Sequence, residues 1–338
     1  MYTLKHLPED FVVIEKAALS LLESGSYLYV RCTKRDRPTM EVVSHLGKIL
    51  NIREKDIGFA GTKDTHAVTT QYFSLKGIKA ERLTNLTLHN VTLEVVGYGS
   101  TPLSLGDLEG NYFEITMRNL AEKKALPKLA LSPNYFDEQR FSKTNIAVGR
   151  ALLKKDFKTA ASLIDHASCQ DYLAANPTNP IGAIRTLPDR LLRLYLNAYQ
   201  SYLWNEAVGM YLRQVGKGVQ ELPYSAGSLV FVENQDDFAT LQFPLPGFGM
   251  IAVADPTIQH ALTIVLQREA LTLQDFVIRQ MPNLSLEGEL RSLFVPVGDL
   301  KVSEYEDDEI FTGKYKIKLQ FFLPKGSYAT MLVRRMFI

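Results

Sequence analysis

The spacing of apolar residues changes twice along the chain, and this change limits the folds open to it. In residues 111–118 every second residue is apolar, which is typical of a strand with one buried face. Between residues 192 and 210 the apolar residues instead recur at helical spacing, and alternation returns in residues 314–322. The sequence therefore predicts sheet-rich ends and a mainly helical middle, as in an α+β fold with one domain inserted into another.

The other predicted elements follow from the same periods and from capping residues. Strands are expected at 26–33, 67–75, 87–97 and 293–297. Helices are expected at 39–50 with Thr39 as N-cap, at 152–164, from Asp189 as N-cap, at 255–270 and after Thr272, with the proline-containing segment 173–188 as a loop.

Composition excludes several classes of protein. The 338 residues suit two domains, and with 46% hydrophobic and 22% charged residues the chain is globular. No apolar run approaches the roughly 20 residues of a membrane helix, and the charged N-terminus lacks a signal core. Cys32 and Cys169 form neither a disulfide framework nor a metal-ligand pair, and the six histidines show no ligand spacing. We therefore expect a protein of the reducing cytoplasm, without a metal or a membrane anchor.

Net charge limits any claim about nucleic acids. Proteins that bind a long phosphate backbone usually have a strong basic excess, whereas the net charge here is +1. Basic residues occur only in local clusters, such as Lys34–Arg37, which we interpret as solvated faces. The composition permits an RNA partner without requiring one.

One turn carries most of the chemical information. In the stretch Gly58–Gln71, two glycines precede Asp64, which lies between a lysine and Thr65-His66, and a strand-like run follows. Glycine allows close approach of another group to the backbone, although an ordinary surface loop would look the same. The stretch does not match a phosphate-binding loop, and the chain has no Rossmann fingerprint and no serine nucleophile motif. The remaining candidate nucleophile is a carboxylate, which a nearby cation would hold ionised.

The Gly58–Gln71 stretch resembles the signature of the TruD-type tRNA pseudouridine synthases, and further motifs of that family follow in the same order along nearly the whole chain. These motifs are Pro8–Val13, Gly110–Phe113, Pro133–Phe141, Leu245–Gly247 and Leu323–Thr330.

The resemblance implies a fold, a reaction and a set of residues. It implies a discontinuous catalytic domain (1–143 and 292–338) with a mixed, largely antiparallel sheet, and a mainly helical insertion domain (144–291). The expected reaction converts uridine 13 in the D-arm of tRNA to pseudouridine without a cofactor. Separately, nothing in the sequence suggests an obligate dimer, so we expect a monomer. The expected site residues are Asp64 as the nucleophile, Phe11, Asn111 and Tyr328 around the target base, Phe113 stacked near it, and Lys5 beside the aspartate.

Four of these residues also have a simpler interpretation. Phe11 and Phe113 alternate with core residues, Asn111 could cap its own strand, and Lys5 could be a surface lysine. His66 is interpreted as a turn residue or an RNA contact. Two other functions remain open: a tRNA-binding or RNA-chaperone protein without catalysis, and a carboxylate-dependent hydrolase that would need a second acid near Asp64.

Overall fold

The computed structural model describes residues 2–84, 86–142 and 144–338. The strands of this part of the chain are β1 (Phe11–Lys16), β2 (Tyr27–Arg35), β3 (Ile57–Phe59), β4 (Val68–Lys76), β5 (Val91–Gly99), β6 (Gly110–Leu120), β7 (Leu131–Pro133), β8 (Gln220–Tyr224), β9 (Gly227–Phe231), β10 (Gln242–Leu245), β11 (Glu289–Ser292), β12 (Phe294–Pro296), β13 (Gly298–Val302), β14 (Glu306–Asp307) and β15 (Tyr315–Pro324).

The α-helices are α1 (Thr39–Leu50), α2 (Asn145–Leu153), α3 (Phe157–Leu163), α4 (Ala167–Ala175), α5 (Pro180–Ile184), α6 (Asp189–Val215), α7 (Pro256–Arg268) and α8 (Ala329–Met336). The chain divides into two compact units. Met1–Ala130 and Pro296–Ala329 form one, and Leu131–Val295 and Thr330–Ile338 form the other. The domain limits predicted from the sequence, at 143/144 and 291/292, stay a prediction.

The first unit is built on one large sheet. Its strand order is β13-β15-β6-β1-β4-β2-β5, with β14 paired to β15 and β3 paired to β4. The pair β1–β4 is parallel, and the other pairs described in this sheet are antiparallel. The expectation of an α+β fold with a mixed, largely antiparallel sheet is confirmed.

Strand register places the odd-numbered residues of β1, β4 and β6 on a single face of this sheet. Val13 lies opposite both Phe113 of β6 and Thr69 of β4, and Glu15 lies opposite Asn111. Over β2 and β4 this face is covered by α1, whose buried residues join Leu28, Val30 and Phe73 in one apolar cluster. Successive strand residues point to opposite faces, so the strand register determines which side chains lie together on this face.

The second unit is organised around the 27-residue helix α6. Trp204, near the middle of this helix, is fully buried, and its indole N–H donates to the carbonyl of Phe243 in β10. Helices α2 and α7 pack against α6, and β8 and β9 form a hairpin beside it. A fully buried aromatic ring with its polar atom satisfied is a typical centre for such a core.

Several predicted helix limits were wrong in detail. Pro38 and Pro188 are the N-cap residues, so Thr39 and Asp189 are instead the first residues of their helices. The helix expected at 152–164 is two helices, α2 and α3, because the chain leaves helical geometry at Lys155, whose φ is positive. The proline-containing segment expected as a loop (173–188) holds the last three residues of α4 and the short helix α5, since proline is tolerated in the first turn. The helix expected after Thr272 is a single 3₁₀ turn.

Candidate active site

Asp64 lies in the loop between β3 and β4, a stretch that we call the Asp64 loop (residues 60–67). Its carboxylate Oδ1 accepts a hydrogen bond from Lys5 Nζ at 2.7 Å, and about a quarter of each side chain is exposed. A carboxylate that is ionised, oriented and still reachable by solvent has the properties required of a nucleophile. The sequence-predicted neighbours Lys5 and Asp64 are thus in direct contact.

Lys5 has an unusual backbone. Its φ is +54°, in the left-handed region that side chains other than glycine, asparagine and aspartate rarely adopt. The Lys5 ammonium also lies 4.0 Å from the centre of the Phe11 ring, a cation–π contact. Strained backbone of this kind persists where surrounding contacts hold it, and it concentrates at functional sites.

The Asp64 loop is attached to the elements around it by side-chain hydrogen bonds. The Lys63 amide N–H donates to Thr39 Oγ1 at 3.1 Å, and the Thr39 hydroxyl donates to Gln71 Oε1 at 2.9 Å. Gln71 Nε2 donates in turn to the carbonyl of Gly61 at 3.3 Å. The first residue of α1 and a buried residue of β4 therefore hold the loop from two sides.

The space around the backbone differs between Gly58, in β3, and Gly61, in the Asp64 loop. A Cβ on Gly58 would lie 2.3 Å from the carbonyl oxygen of Leu103, so close packing within the protein explains this glycine. A Cβ on Gly61 would meet no described atom within 4 Å. The side of the loop nearer to Asp64 is thus open, as a binding site requires.

A buried ion pair links the loop to the central strands. Lys63 Nζ lies 2.6 Å from Glu15 Oε2, and the two side chains are 7% and 0% exposed. Glu15 lies opposite Asn111 in the β1–β6 ladder. Lys63, the residue before Asp64, therefore forms an ion pair with the residue that lies beside Asn111 in the sheet.

The amide oxygen of Asn111 has no partner among the described residues. This Oδ1 atom is buried. Buried polar atoms are nearly always paired, so this free acceptor is suited to a donor of a bound ligand. The amide oxygen of Asn111 can accept from the N–H of a bound base, and its NH₂ can donate to a base carbonyl.

The predicted aromatic residues form a packed group. The Phe11 and Phe113 rings meet edge to face at 6.2 Å, and Phe113 stacks on Phe321 at 5.5 Å. Phe11 is 3% and Phe113 7% exposed, so both rings act as core side chains in this structure. Their contact with a base stays a prediction.

Tyr328 lies in the connection that follows β15. Pro324, the last residue of β15, pairs with Gly110, so this connection starts at the same sheet end as Asn111. Tyr328 is half-buried. The structure thus places Lys5 in contact with both Phe11 and Asp64 and packs Phe113 against Phe11. Asn111 pairs with Glu15 in the sheet, and Tyr328 follows the strand that pairs with this end of β6.

Sequence reasoning missed two features of this site. Lys34, interpreted as part of a solvated cluster, is fully buried, and its ammonium donates to the main-chain carbonyl of Asp64 at 2.7 Å. Arg118 is likewise buried, and its guanidinium binds Asp10 and Asp308 at 2.8 and 3.0 Å, which secures the turn just before Phe11. Strict alternation along β2 predicts the burial of Lys34, since Val30 and Cys32 lie on the same face of the strand.

His66 belongs to the turn and contacts Asp36. Its Nδ1 lies 2.9 Å from Asp36 Oδ1, and half of the side chain is exposed. This hydrogen bond raises the pKa of His66 above its usual value. The interpretation of His66 as a turn residue agrees with this contact.

The described residues contain neither a cluster of metal-ligating side chains nor a membrane-spanning helix. In residues 2–84, 86–142 and 144–338, no three His, Cys, Asp or Glu side chains are grouped so as to hold a metal ion. Within the same ranges, no helix combines the length and apolarity needed to span a bilayer.

Comparisons with known proteins identify the family of this chain. Residues 2–170 and 167–336 match the model of the family described as tRNA pseudouridine synthase D (TruD). A relative from Methanocaldococcus jannaschii, named "Probable tRNA pseudouridine synthase D 2", is 30% identical, with 99% of this chain and 91% of that protein aligned. The tRNA pseudouridine synthase D of Aquifex aeolicus is 29% identical over 99% of this chain and 97% of its own length.

A solved structure gives the same result for the fold. The crystal structure of a TruD protein from Methanosarcina mazei superposes with a TM-score of 0.69 and 28% sequence identity, over 100% of this chain and 94% of that one. The similarity spans both units. With a family model that matches nearly every residue and relatives aligned from end to end, this chain belongs to the TruD family of tRNA pseudouridine synthases, which are isomerases.

Proposed function

We propose that this protein converts uridine 13 in the D-arm of tRNA to pseudouridine, with Asp64 as the nucleophile and without a cofactor. The observation that carries the proposal is the 2.7 Å contact between Lys5 and the Asp64 carboxylate on a loop with open space beside it. The chemistry requires a carboxylate aimed at the sugar and the base, and the charge-assisted hydrogen bond from Lys5 fixes its orientation.

The reaction balances without a co-reactant. The N1–C1′ bond of uridine breaks, the base turns, and a C5–C1′ bond forms while C5 loses its proton and N1 gains one. Asp64 can attack either C6 of the base or C1′ of the ribose, and it is released unchanged. Since the product has the same atoms as the substrate, no oxidant, reductant or second substrate is needed.

The remaining residues have separate roles in the proposal. The target base must leave its stack, which costs about a few kcal/mol, and enter a pocket of the protein. Asn111, whose amide oxygen lacks a partner among the described residues, would bind the uracil edge. Phe11, Phe113 and Tyr328 would surround the base, with stacking worth roughly 1–3 kcal/mol per base. Phe113 would need to expose a ring face that is now covered.

The first experiment is a tritium-release assay on tRNA labelled at uridine C5. The native chain is expected to release tritium, and Asp64→Asn is expected to release none. Asp56→Asn is the matched control, because Asp56 is another acidic residue near the same glycine turn and forms an ion pair with Arg53. Binding of tRNA without release by the native chain would reject the enzyme and favour a tRNA-binding protein, and free uracil among the products would indicate a hydrolase.

A second set of tritium-release assays tests which uridine of the tRNA is modified. Transcripts that differ only in a U13→C replacement are expected to lose release at that site, whereas replacement of another D-arm uridine is expected to leave it intact. Undiminished release from the U13→C transcript would contradict the assignment of position 13. We also propose a cytoplasmic monomer, which sedimentation of the purified chain and cell fractionation would test.

A further inference from the structure

Lys34 occupies a position where a charged side chain is costly. It lies in β2 opposite Thr69, on the same sheet face as Cys32 and Val30, and it is fully buried. The next residue, Arg35, points to the other face, forms an ion pair with Glu9 and is half exposed. Lysine is almost never fully buried without a charged partner. Among the described residues, no carboxylate lies within ion-pair distance of the Lys34 ammonium.

The surroundings of Lys34 disfavour the charged form of its ammonium group. Burial lowers the pKa of its ammonium to about 8, although the thiol of Cys32 and the carboxylate of Asp64 act in the opposite direction. The ammonium of Lys63 adds to the lowering. An apolar residue of the same length would avoid this cost, so packing alone does not explain the lysine.

The contact that Lys34 makes is specific to one atom. Its Nζ donates to the main-chain carbonyl oxygen of Asp64 at 2.7 Å, across 30 residues of sequence. Lys5 holds the other end of the same residue through the carboxylate, also at 2.7 Å. With its carbonyl and its carboxylate both fixed, Asp64 has little freedom to turn its side chain away from a bound base.

We propose that Lys34 is a positioning residue for the reaction: its buried ammonium fixes the backbone of Asp64 and thereby aims the nucleophile at the target uridine. The proposal rests on the proposed function of Asp64. Lys34 touches neither the base nor the reacting atoms. Its effect is therefore on the rate of the bound complex and not on tRNA affinity, since a nucleophile misplaced by about 1 Å can lose about 100-fold in rate.

The test compares Lys34→Met, Lys34→Arg and Cys32→Ala in the full chain. Lys34→Met is expected to lower kcat for tritium release by about 100-fold with KM changed less than about threefold. Its Tm is expected to be equal to or above that of the native chain, because the buried charge is gone. Lys34→Arg, which keeps a charged donor, is expected to recover part of the rate. Cys32→Ala, two residues away on the same face, is expected to lower Tm through a small cavity and to leave kcat unchanged.

A second readout does not depend on activity. Hydrogen exchange of peptides covering residues 60–67 is expected to become faster in Lys34→Met and to stay unchanged in Cys32→Ala. If kcat of Lys34→Met stays within threefold of native, or falls only together with Tm or with a raised KM, the positioning role is wrong. If the native chain itself releases no tritium, the proposed function fails, while the exchange data still decide whether Lys34 holds the loop.

Discussion

The ammonium of Lys5 contacts the Asp64 carboxylate and the face of Phe11 from a backbone with φ of +54°. Lys5→Met removes the charge and keeps the chain length, so Asp64 loses the partner that orients it. We expect kcat for tritium release to fall by at least about 100-fold. Stability is expected to change by about 1 kcal/mol or less, because the pair is partly exposed.

The control for this variant is Lys16→Met. Lys16 also forms a lysine–carboxylate pair, with Glu109 at 2.7 Å, but on an exposed part of the sheet. Its kcat is expected to match that of the native chain. Equal losses in the two variants would mean that the charge, and not its position beside Asp64, determines the rate.

The lowered pKa of Lys34 makes the free energy of unfolding depend on pH. Its pKa is about 8 in the folded protein and near the ordinary value of 10.5 when unfolded, so between these values the unfolded chain binds more protons. Stability therefore rises with pH in that window, and the cost of burying the charge is fully present below about pH 8. Urea titrations of native protein and Lys34→Met should show the greatest advantage of the variant below pH 8, declining toward pH 10.5. An advantage that grows with pH would contradict this.

At the scale of elements, the buried pair Lys63–Glu15 joins the Asp64 loop to β1. Removing one partner leaves the other charge buried and unpaired, and such changes typically cost about 3–5 kcal/mol. We expect Lys63→Met to lower the free energy of unfolding by this amount. The double variant with Glu15→Leu is expected to recover most of it, as measured by urea denaturation. Independent, additive losses would show that the two charges do not depend on each other.

The sequence predicted this site unevenly, and strand length explains why. The glycine-containing turn indicates Asp64 only as a candidate, and the family resemblance supplies its role together with Lys5, Phe11 and Asn111. Lys34 was missed because the predicted strand ended at residue 33, whereas β2 extends to Arg35. When Lys34 and Arg35 are included in β2, the alternation of the strand places the side chain of Lys34 on the buried face. The contact between Lys34 and Asp64 joins residues 30 apart through tertiary packing, which local periodicity does not describe.

At the scale of the whole molecule, the question is how a chain with a net charge of +1 would bind tRNA. Many of its cations are already paired: Lys316 lies between Glu306 and Glu309, and Arg213 binds Glu221. Each such pair leaves one cation fewer for phosphates, and together with the low net charge this favours recognition of the shape of folded RNA over long-range attraction.

This view predicts a weak dependence of tRNA affinity on salt. Each phosphate contact adds about 0.7–0.9 to the slope of log K against log salt concentration, so we expect a slope shallower than about −4 between 50 and 200 mM. Fluorescence anisotropy with labelled tRNA measures it. A linear oligonucleotide with the D-arm sequence is the control and is expected to bind at least about tenfold more weakly, because it lacks the folded shape. A slope of about −6 or steeper, with equal affinity for both RNAs, would instead mean that phosphate contacts dominate. In that case the basic clusters outside the ion pairs, and not the pockets for splayed bases, would determine which RNA is bound.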